Sequence, residues 1–438
     1  MNRSKTNKVL LIQILLLDLI GFSLIFPLVP DLLEYYLNQA ETHSIDGWFT
    51  GLKDFLYVLL PTDRRNEEDL IIILGGILAS LYSFLQFLLS PTWGRLSDRI
   101  GRRPVLIFTS IGLSLSYLIW AFSSSFTAFV LSRILGGIFA GNLGVATASM
   151  ADMTEAKDRT KSMGLLGAAF GIGFIIGPVI GGISSLWKLN EIYPEMAAFH
   201  PFTACALISF FLAVASALRN YTSFQETISE QSKAEDRWIR NPFSILKDLN
   251  SKGFYYLVII NLLYILLFSG FEFSLTFFYK LDFKLDPFEI GFIFLYLGFL
   301  IALGQGGLVR YLTPRLHEKK MAQIGLAMIP VPLVFLGYSS PLVSLSILML
   351  FPVAIGSALV MPSLTGLGSI LAPEKQQGLA MGVFRSSGSL ARAVGPLMGG
   401  YLYWILGIQA TYWILALLIG VVFLLSFKIT GQNKKQDI

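Results

Sequence analysis

Five charged side chains stand inside stretches of sequence that are otherwise apolar: Asp18, Arg133, Glu272, Arg385 and Arg392. A charge in hydrocarbon costs several kcal/mol and is retained where it binds, relays a proton or pairs with another charge. Asp18 and Glu272 have the chemistry of proton carriers. Burial disfavours the charge on a carboxylate and a neighbouring arginine favours it, so a change of surroundings can load or release the proton. Arg385 and Arg392 are seven residues apart, which on a helix is two turns, so they share one face about 10 Å apart along it. Guanidinium groups grip a carboxylate or enolate bidentately, which makes this pair the candidate for an anionic substrate group. Arg133, and the polar Asn142 and Gln305 within apolar stretches, are further candidates for substrate contact. The competing reading for each charge is a structural ion pair between helices. With all five ionised the interior carries three positive and two negative charges, which receives an anion better than a cation.

The elements that hold these groups follow from composition. The 438 residues are 54% hydrophobic and only 14% charged, with a mean hydropathy of +0.65, whereas a soluble domain carries about 25% charged residues. A membrane-crossing helix needs roughly 20 apolar residues. Such stretches fall near 9–33, 69–92, 105–123, 127–151, 161–186, 199–219, 253–281, 287–311, 321–338, 341–371, 377–404 and 406–428, which makes twelve. The basic start and the apolar run from Val9 to Leu33 resemble a secretory leader, but the run is too long and has no small-residue cleavage site, so it reads as a retained first span. Asp18 is then nine residues deep, about 14 Å at the helical rise. The lone Cys205 says nothing of redox compartment. His43, His200 and His317 fall in polar connections, leaving no cluster for a metal or a nucleophilic triad, and no cofactor is called for.

With both termini on the inner side, and with residues at span edges counted with the segments they adjoin, the inner segments hold 24 Lys/Arg and the outer segments 6, the other three lying deeper within spans. That bias sets the orientation under the positive-inside rule and explains the net charge of +5 without nucleic acid. A polar stretch containing Glu226, Glu230, Lys233, Glu235, Asp236, Arg237 and Arg240 divides the chain into residues 1–219, a cytoplasmic linker 220–252, and residues 253–438. The halves repeat. Gly164, Gly177, Pro178, Gly181 and Gly182 recur as Gly382, Gly395, Pro396, Gly399 and Gly400, each displaced by 218. The expected fold is an all-α membrane protein of twelve transmembrane helices in two pseudo-symmetric six-helix bundles, with the substrate site near the midplane. Arg385 and Arg392 have Gly167 and Phe174 as repeat partners, so the shared scaffold does not require charge there.

Certain segments carry a resemblance. The turn Gly94-Arg95-Leu96-Ser97-Asp98-Arg99-Ile100-Gly101-Arg102-Arg103-Pro104 resembles the signature loop of the major facilitator superfamily. That resemblance makes Gly94, Asp98, Arg99, Gly101, Arg102 and Arg103 a conformational latch, with Asp98 docking at the start of the eleventh helix. The second-half counterpart Thr313-Pro314-Arg315-Leu316-His317-Glu318-Lys319-Lys320 has Pro314 in place of the acid. Gly173-x-x-x-Gly177-Pro178-x-x-Gly181-Gly182 is similar to the hinge motif of drug/proton antiporters, and Arg133-x-x-Gly136-Gly137 to the superfamily's arginine motif, with Gly136 where glutamine is familiar. Leu17-Asp18-x-x-Gly21, Pro27-Leu28-Val29-Pro30 and Ala151-Asp152-Met153-Thr154 look like tetracycline-resistance efflux pumps. Ser269-Gly270-Phe271-Glu272-Phe273, Gln305-Gly306-Gly307 and the segment from Met381 to Leu397 look like the tetracycline-transporter-like branch found in animals.

The resemblance implies a secondary transporter of amphipathic organic compounds or drugs working by alternating access, with proton-coupled antiport first and organic-anion exchange or uptake next. A lipid flippase or a non-transporting receptor on the same scaffold is the remote alternative. The implied partners are the substrate, protons and the bilayer, for a monomer in a bacterial inner membrane or a eukaryotic membrane. The topology has a direct check. A cysteine at Ser232→Cys should react with an impermeant thiol reagent only from the cytoplasmic side, and labelling of intact cells from outside would reverse the orientation.

Overall fold

The computed structural model describes residues 3–40, 44–59, 67–154, 159–196, 198–228, 252–338, 342–372 and 377–429. His43, Ser232 and the charged residues between Glu230 and Arg240 lie outside them. Among the described residues every regular element is helical. Eleven helices are long and apolar enough to cross a membrane: Thr6–Gln39, Glu67–Ile100, Arg102–Ala121, Phe126–Asp152, Leu165–Ile192, Thr203–Thr222, Gly253–Leu281, Pro287–Leu312, Glu318–Tyr338, Val343–Leu371 and Ala380–Ser426. The last, at 47 residues, is far longer than one crossing. It bends at Gly407, whose φ of 77° and ψ of 172° are outside the helical region. Glycine alone takes that conformation cheaply, so the bend divides the segment into the eleventh and twelfth spans. The chain is an integral, multi-pass membrane protein.

The described chain divides into two compact units, Met1–Arg237 with Leu285–Leu295, and Trp238–Lys284 with Tyr296–Ile438. In the first, Leu11 and Leu15 meet Val105, Leu106, Val145, Ala146, Met150, Leu166 and Phe224 in one buried cluster. The first span exceeds the stretch read from sequence. After a 3-10 turn at Phe26–Leu28, where Pro27 and Pro30 withhold backbone donors, helix resumes over Val29–Ala40. The extension is fastened by Tyr36, whose hydroxyl donates to Ser123 O at 3.1 Å.

The connection to the second span also has structure, a helix over Gly47–Leu59. Just before it, Asp46 accepts from the Phe126 and Thr127 amides at 3.1 and 2.8 Å and from the Thr127 hydroxyl at 2.6 Å. A carboxylate there answers the unpaired amides and positive dipole of the helix start. His200, in the connection before the sixth span, is buried: Nε2 is 2.9 Å from Trp120 O, and burial pulls its pKa down to about 4.

The glycine repeat is a packing device used once in each unit. In the first, a Cβ on Gly177 of the fifth span would stand 2.9 Å from Ile20 O, and Ser23 Oγ donates to Gly173 O at 2.9 Å. In the second, a Cβ on Gly395 of the eleventh span would stand 2.9 Å from Leu266 O, and Gly399 lies against the Gly270 backbone. The fifth span therefore closes on the first as the eleventh closes on the seventh. In a membrane, where lipid is as apolar as leucine, backbone approach at small residues is what holds helices together. Within the first unit, Gly291 lies against Pro178 O, a Cβ there standing 2.7 Å away. Gly177→Val should overpack against a backbone atom that cannot move aside and cost about 1–3 kcal/mol, read as a lower unfolding midpoint in detergent. Gly167→Ala, with nothing within 4 Å of its Cβ, is the silent control.

Candidate functional site

The site in the first unit starts from an interrupted helix. The fourth span runs as helix from Phe126 to Phe139, breaks at Ala140 (φ −73°, ψ 32°) and restarts at Asn142. A break at membrane depth frees backbone carbonyls that hydrocarbon cannot solvate. Two side chains of the second span answer them, Gln86 Nε2 donating to Ala140 O at 3.0 Å and Trp93 Nε1 to Ile138 O at 2.7 Å. The restart carries Asn142, whose Nδ2 donates to Asp18 Oδ2 at 2.7 Å. Asn142 also meets the Thr109 hydroxyl through Oδ1 and donates to Ser110 Oγ at 3.3 Å. Ser110 accepts from Asn220 Nδ2 at 3.2 Å and lies 3.5 Å from Ser216 Oγ. Four spans thus supply one buried polar network, with Asp18 at its end. Asp18 is 8% exposed, and its other oxygen, Oδ1, is buried with no hydrogen-bond partner.

Arg133 is also in this unit, buried among aromatic rings, its guanidinium carbon 4.8 Å from the Trp120 ring centre, 5.5 Å from Phe129 and 5.8 Å from Tyr117. Nε is 3.3 Å from Ser132 Oγ, and Nη2 is buried without a hydrogen-bond partner. The departure at Gly136 has a cause. A Cβ there would lie 2.9 Å from Cε2 of Tyr82, and one on Gly137 would lie 2.8 Å from Tyr82 O. Tyr82 of the second span occupies the space that a glutamine would need, and it stacks on Phe22 with ring centres 4.8 Å apart.

In the second unit Glu272 and Arg392 are within electrostatic reach of each other, and Tyr264 is close to Glu272. Arg385 and Arg392 are both half-buried on the eleventh span. Asn261, which sequence reading passed over, holds that helix to the seventh by donating to Phe384 O and Ser387 Oγ at 3.1 and 3.0 Å. Gln305 is exposed, in a π-helical turn over Gly304–Val309. Such turns widen the backbone and are frequent at functional sites.

The signature turn is an ion network. Arg102 is 6% exposed; Nη1 lies 2.5 Å from Asp98 and 2.6 Å from Ser97 Oγ, and Nε lies 3.0 Å from Asp152. Gly101, at φ 109°, turns the chain between the second and third spans. Glu226, which sequence reading left in a solvated linker, accepts from the amides of Arg102 and Arg103 at 2.9 and 3.1 Å and so caps the third span. Arg103 Nη2 donates to Tyr221 O at 2.5 Å. Thr227 Oγ1 donates to Asp152 at 3.3 Å, and Asn7 and Gln225 bond reciprocally at 3.1 and 3.3 Å. The stretch after the sixth span is therefore part of the turn. A carboxylate seven residues past an apolar run is the only sequence signal for it, and that signal is shared by many solvated linkers.

The chain belongs to the Major Facilitator Superfamily, whose sequence model matches residues 10–396 and 324–437; it is a membrane transporter and not an enzyme. Its particular likenesses are narrower. It is 32% identical to Major facilitator superfamily domain-containing protein 10 of Bos taurus, over 95% of this chain and 90% of the bovine protein. It is 28% identical to Tetracycline resistance protein, class B, of Escherichia coli, over 99% of each. The crystal structure of the human organic anion transporter MFSD10 (TETRAN) superposes with a TM-score of 0.75 at 28% identity, covering 97% of this chain and 100% of that one.

The exchange of glutamine for tyrosine around Arg133 is testable as a cycle. Gly136→Gln alone should cost about 1–3 kcal/mol by overpacking. Combined with Tyr82→Ala it should cost less than the sum, with a coupling of about 0.5–3 kcal/mol. Additive losses in thermal unfolding would mean that Tyr82 does not fill that space.

Proposed function

We propose that this chain is a secondary active transporter of amphipathic organic compounds that works by alternating access and exchanges its substrate for protons. The observation that carries the reading is Asp18: one carboxylate oxygen is bonded by Asn142, and the other is buried and makes no hydrogen bond, with the Ser216 hydroxyl close to the carboxylate. A carboxylate accepts only, whereas its protonated form also donates. An acid with one oxygen committed and one free can gain or lose a proton without dismantling its support. Glu272, opposed by Arg392, is the second carboxylate in the cycle. The network around Asp98, Arg102, Asp152 and Glu226 is the latch whose making and breaking separates the conformations. The tetracycline resistance proteins and the human organic anion transporter support an organic, amphipathic substrate, and the distribution of Lys/Arg supports termini on the inner side.

The test is transport into proteoliposomes under an imposed pH gradient. Asp18→Asn mimics the protonated acid, so gradient-driven accumulation should vanish while downhill exchange persists; an unchanged response to the gradient removes Asp18 from coupling. Asp98→Asn should insert and fold normally yet turn over several-fold more slowly, because the acid biases one conformer over another. Wild-type turnover in that variant would take the latch out of the cycle.

A further inference from the structure

Three donors around Arg133 have no acceptor. Arg133 Nη2, Tyr117 OH and Trp120 Nε1 are all buried without a hydrogen-bond partner, in residues that are 6%, 1% and 0% exposed. An orphaned buried polar group costs about 1–3 kcal/mol, and three around one guanidinium are too many to leave unexplained. Arginine and the indole N–H can only donate, and a phenol can donate. The group they lack is therefore an acceptor, and beside a guanidinium an anionic one. Ser132 Oγ takes Nε at 3.3 Å, and Asp18 is within electrostatic reach of Tyr117 and Tyr82, but among the described residues no acceptor is bonded to Arg133 Nη2, Tyr117 OH or Trp120 Nε1 and no carboxylate forms an ion pair with Arg133. The guanidinium carbon lies over three aromatic rings, a contact that does not use the Nη2 N–H groups as hydrogen-bond donors. Arg392 in the second unit differs, since Glu272 is within its electrostatic reach.

The apolar half of a ligand also has a place. Tyr82, packed over Gly136, stacks on Phe22; Phe22 meets Phe26 at 5.4 Å, and Phe174 lies 5.9 and 5.6 Å from the two. Phe22, Phe26 and Phe174 are partly exposed, unlike the residues around Arg133. Phe174 is the repeat partner of Arg392, so the first unit has an aromatic ring where the second has a charge, and its own arginine comes from a different helix. A half-exposed aromatic cluster thus adjoins, at Tyr82, the buried residues around Arg133. We infer that Arg133, Tyr117 and Trp120 form a subsite for the carboxylate of an aromatic organic acid, whose ring system lies along Phe22, Phe26, Phe174 and Tyr82. The inference rests on the transport reading above and adds to it the charge of the substrate and the residues that receive it. It also relocates anion recognition from the eleventh span, where the sequence places it, to the fourth.

The experiment compares two probes of nearly equal shape, 1-naphthylacetate and its neutral amide 1-naphthylacetamide, binding to the full chain in nanodiscs. The wild type should prefer the carboxylate. Arg133→Gln should weaken the carboxylate by about thirtyfold or more, as expected for losing a buried charged contact, and the amide by less than about twofold. Tyr117→Phe keeps the ring and removes one hydroxyl, so it should weaken the carboxylate alone by about three- to tenfold, the range of one hydrogen bond. It decides the matter if Arg133→Gln does not fold. Equal affinity of the wild type for both probes, or no binding of naphthylacetate at millimolar concentration, overturns the subsite. So does an unchanged preference for the carboxylate in Tyr117→Phe. If Arg392→Gln abolishes the preference and Arg133→Gln does not, the anion is received in the second unit, and the subsite fails while pH-driven transport by the same preparation leaves the transport reading intact.

Discussion

Hydrocarbon solvates no hydrogen-bonding group, so each polar atom carried into it must be answered from within the chain, and the helix break at Ala140–Gly141 shows how much follows from that requirement. Gln86 and Trp93 bond the carbonyls beside the break, which ties the second span to the fourth at a defined height. That tie sets Asn142 at the start of the renewed helix and brings its amide to Asp18. Thr109, Ser110, Ser216 and Asn220 complete the set from the third and sixth spans. An acid that would be costly on a lipid-facing surface is held in a polar network, and one of its oxygens is left without a hydrogen bond.

The same requirement makes the two units alike in scaffold and unlike in charge. Both use glycine to bring a helix backbone against its neighbour, the fifth span on the first and the eleventh on the seventh. Neither contact uses a charged side chain, so the repeat leaves each unit free to place its own charges. The first pairs an acid with an asparagine and encloses an arginine in aromatic rings, while the second sets an acid near an arginine. A buried ion pair is largely self-neutralising and contributes little net stability. An acid and a guanidinium held without ionic partners are not neutralised in that way.

The signature turn applies the requirement at the membrane surface. Arg102 satisfies Asp98 and Asp152, while Glu226 takes the first amides of the third span. The residues just beyond the sixth span thereby join the turn that follows the second, through Asn7, Gln225, Tyr221 and Thr227. A network of charge-assisted bonds between exposed and buried partners can be remade in another arrangement without unpacking an apolar core, which suits it to a switching element.

Much of this was legible in the residues themselves because membrane spans are a one-dimensional property. Twenty apolar residues suffice to specify a crossing helix, so composition and run length alone yield the fold class, the twelve spans and the isolation of Asp18, Arg133, Glu272, Arg385 and Arg392. The displacement of 218 between glycine motifs likewise exposes the repeat, since close backbone packing demands the same small residues wherever it recurs. Partnership is a different matter, being decided by which helix faces meet. The pairing of Asp18 with Asn142, the place of Tyr82 over Gly136, the proximity of Glu272 to Arg392, and the capture of the third span by Glu226 join residues between 54 and 124 positions apart. No periodicity along the chain encodes such distances. Only the packing of the helices settles which buried charges are answered and leaves Arg133 with donors to spare.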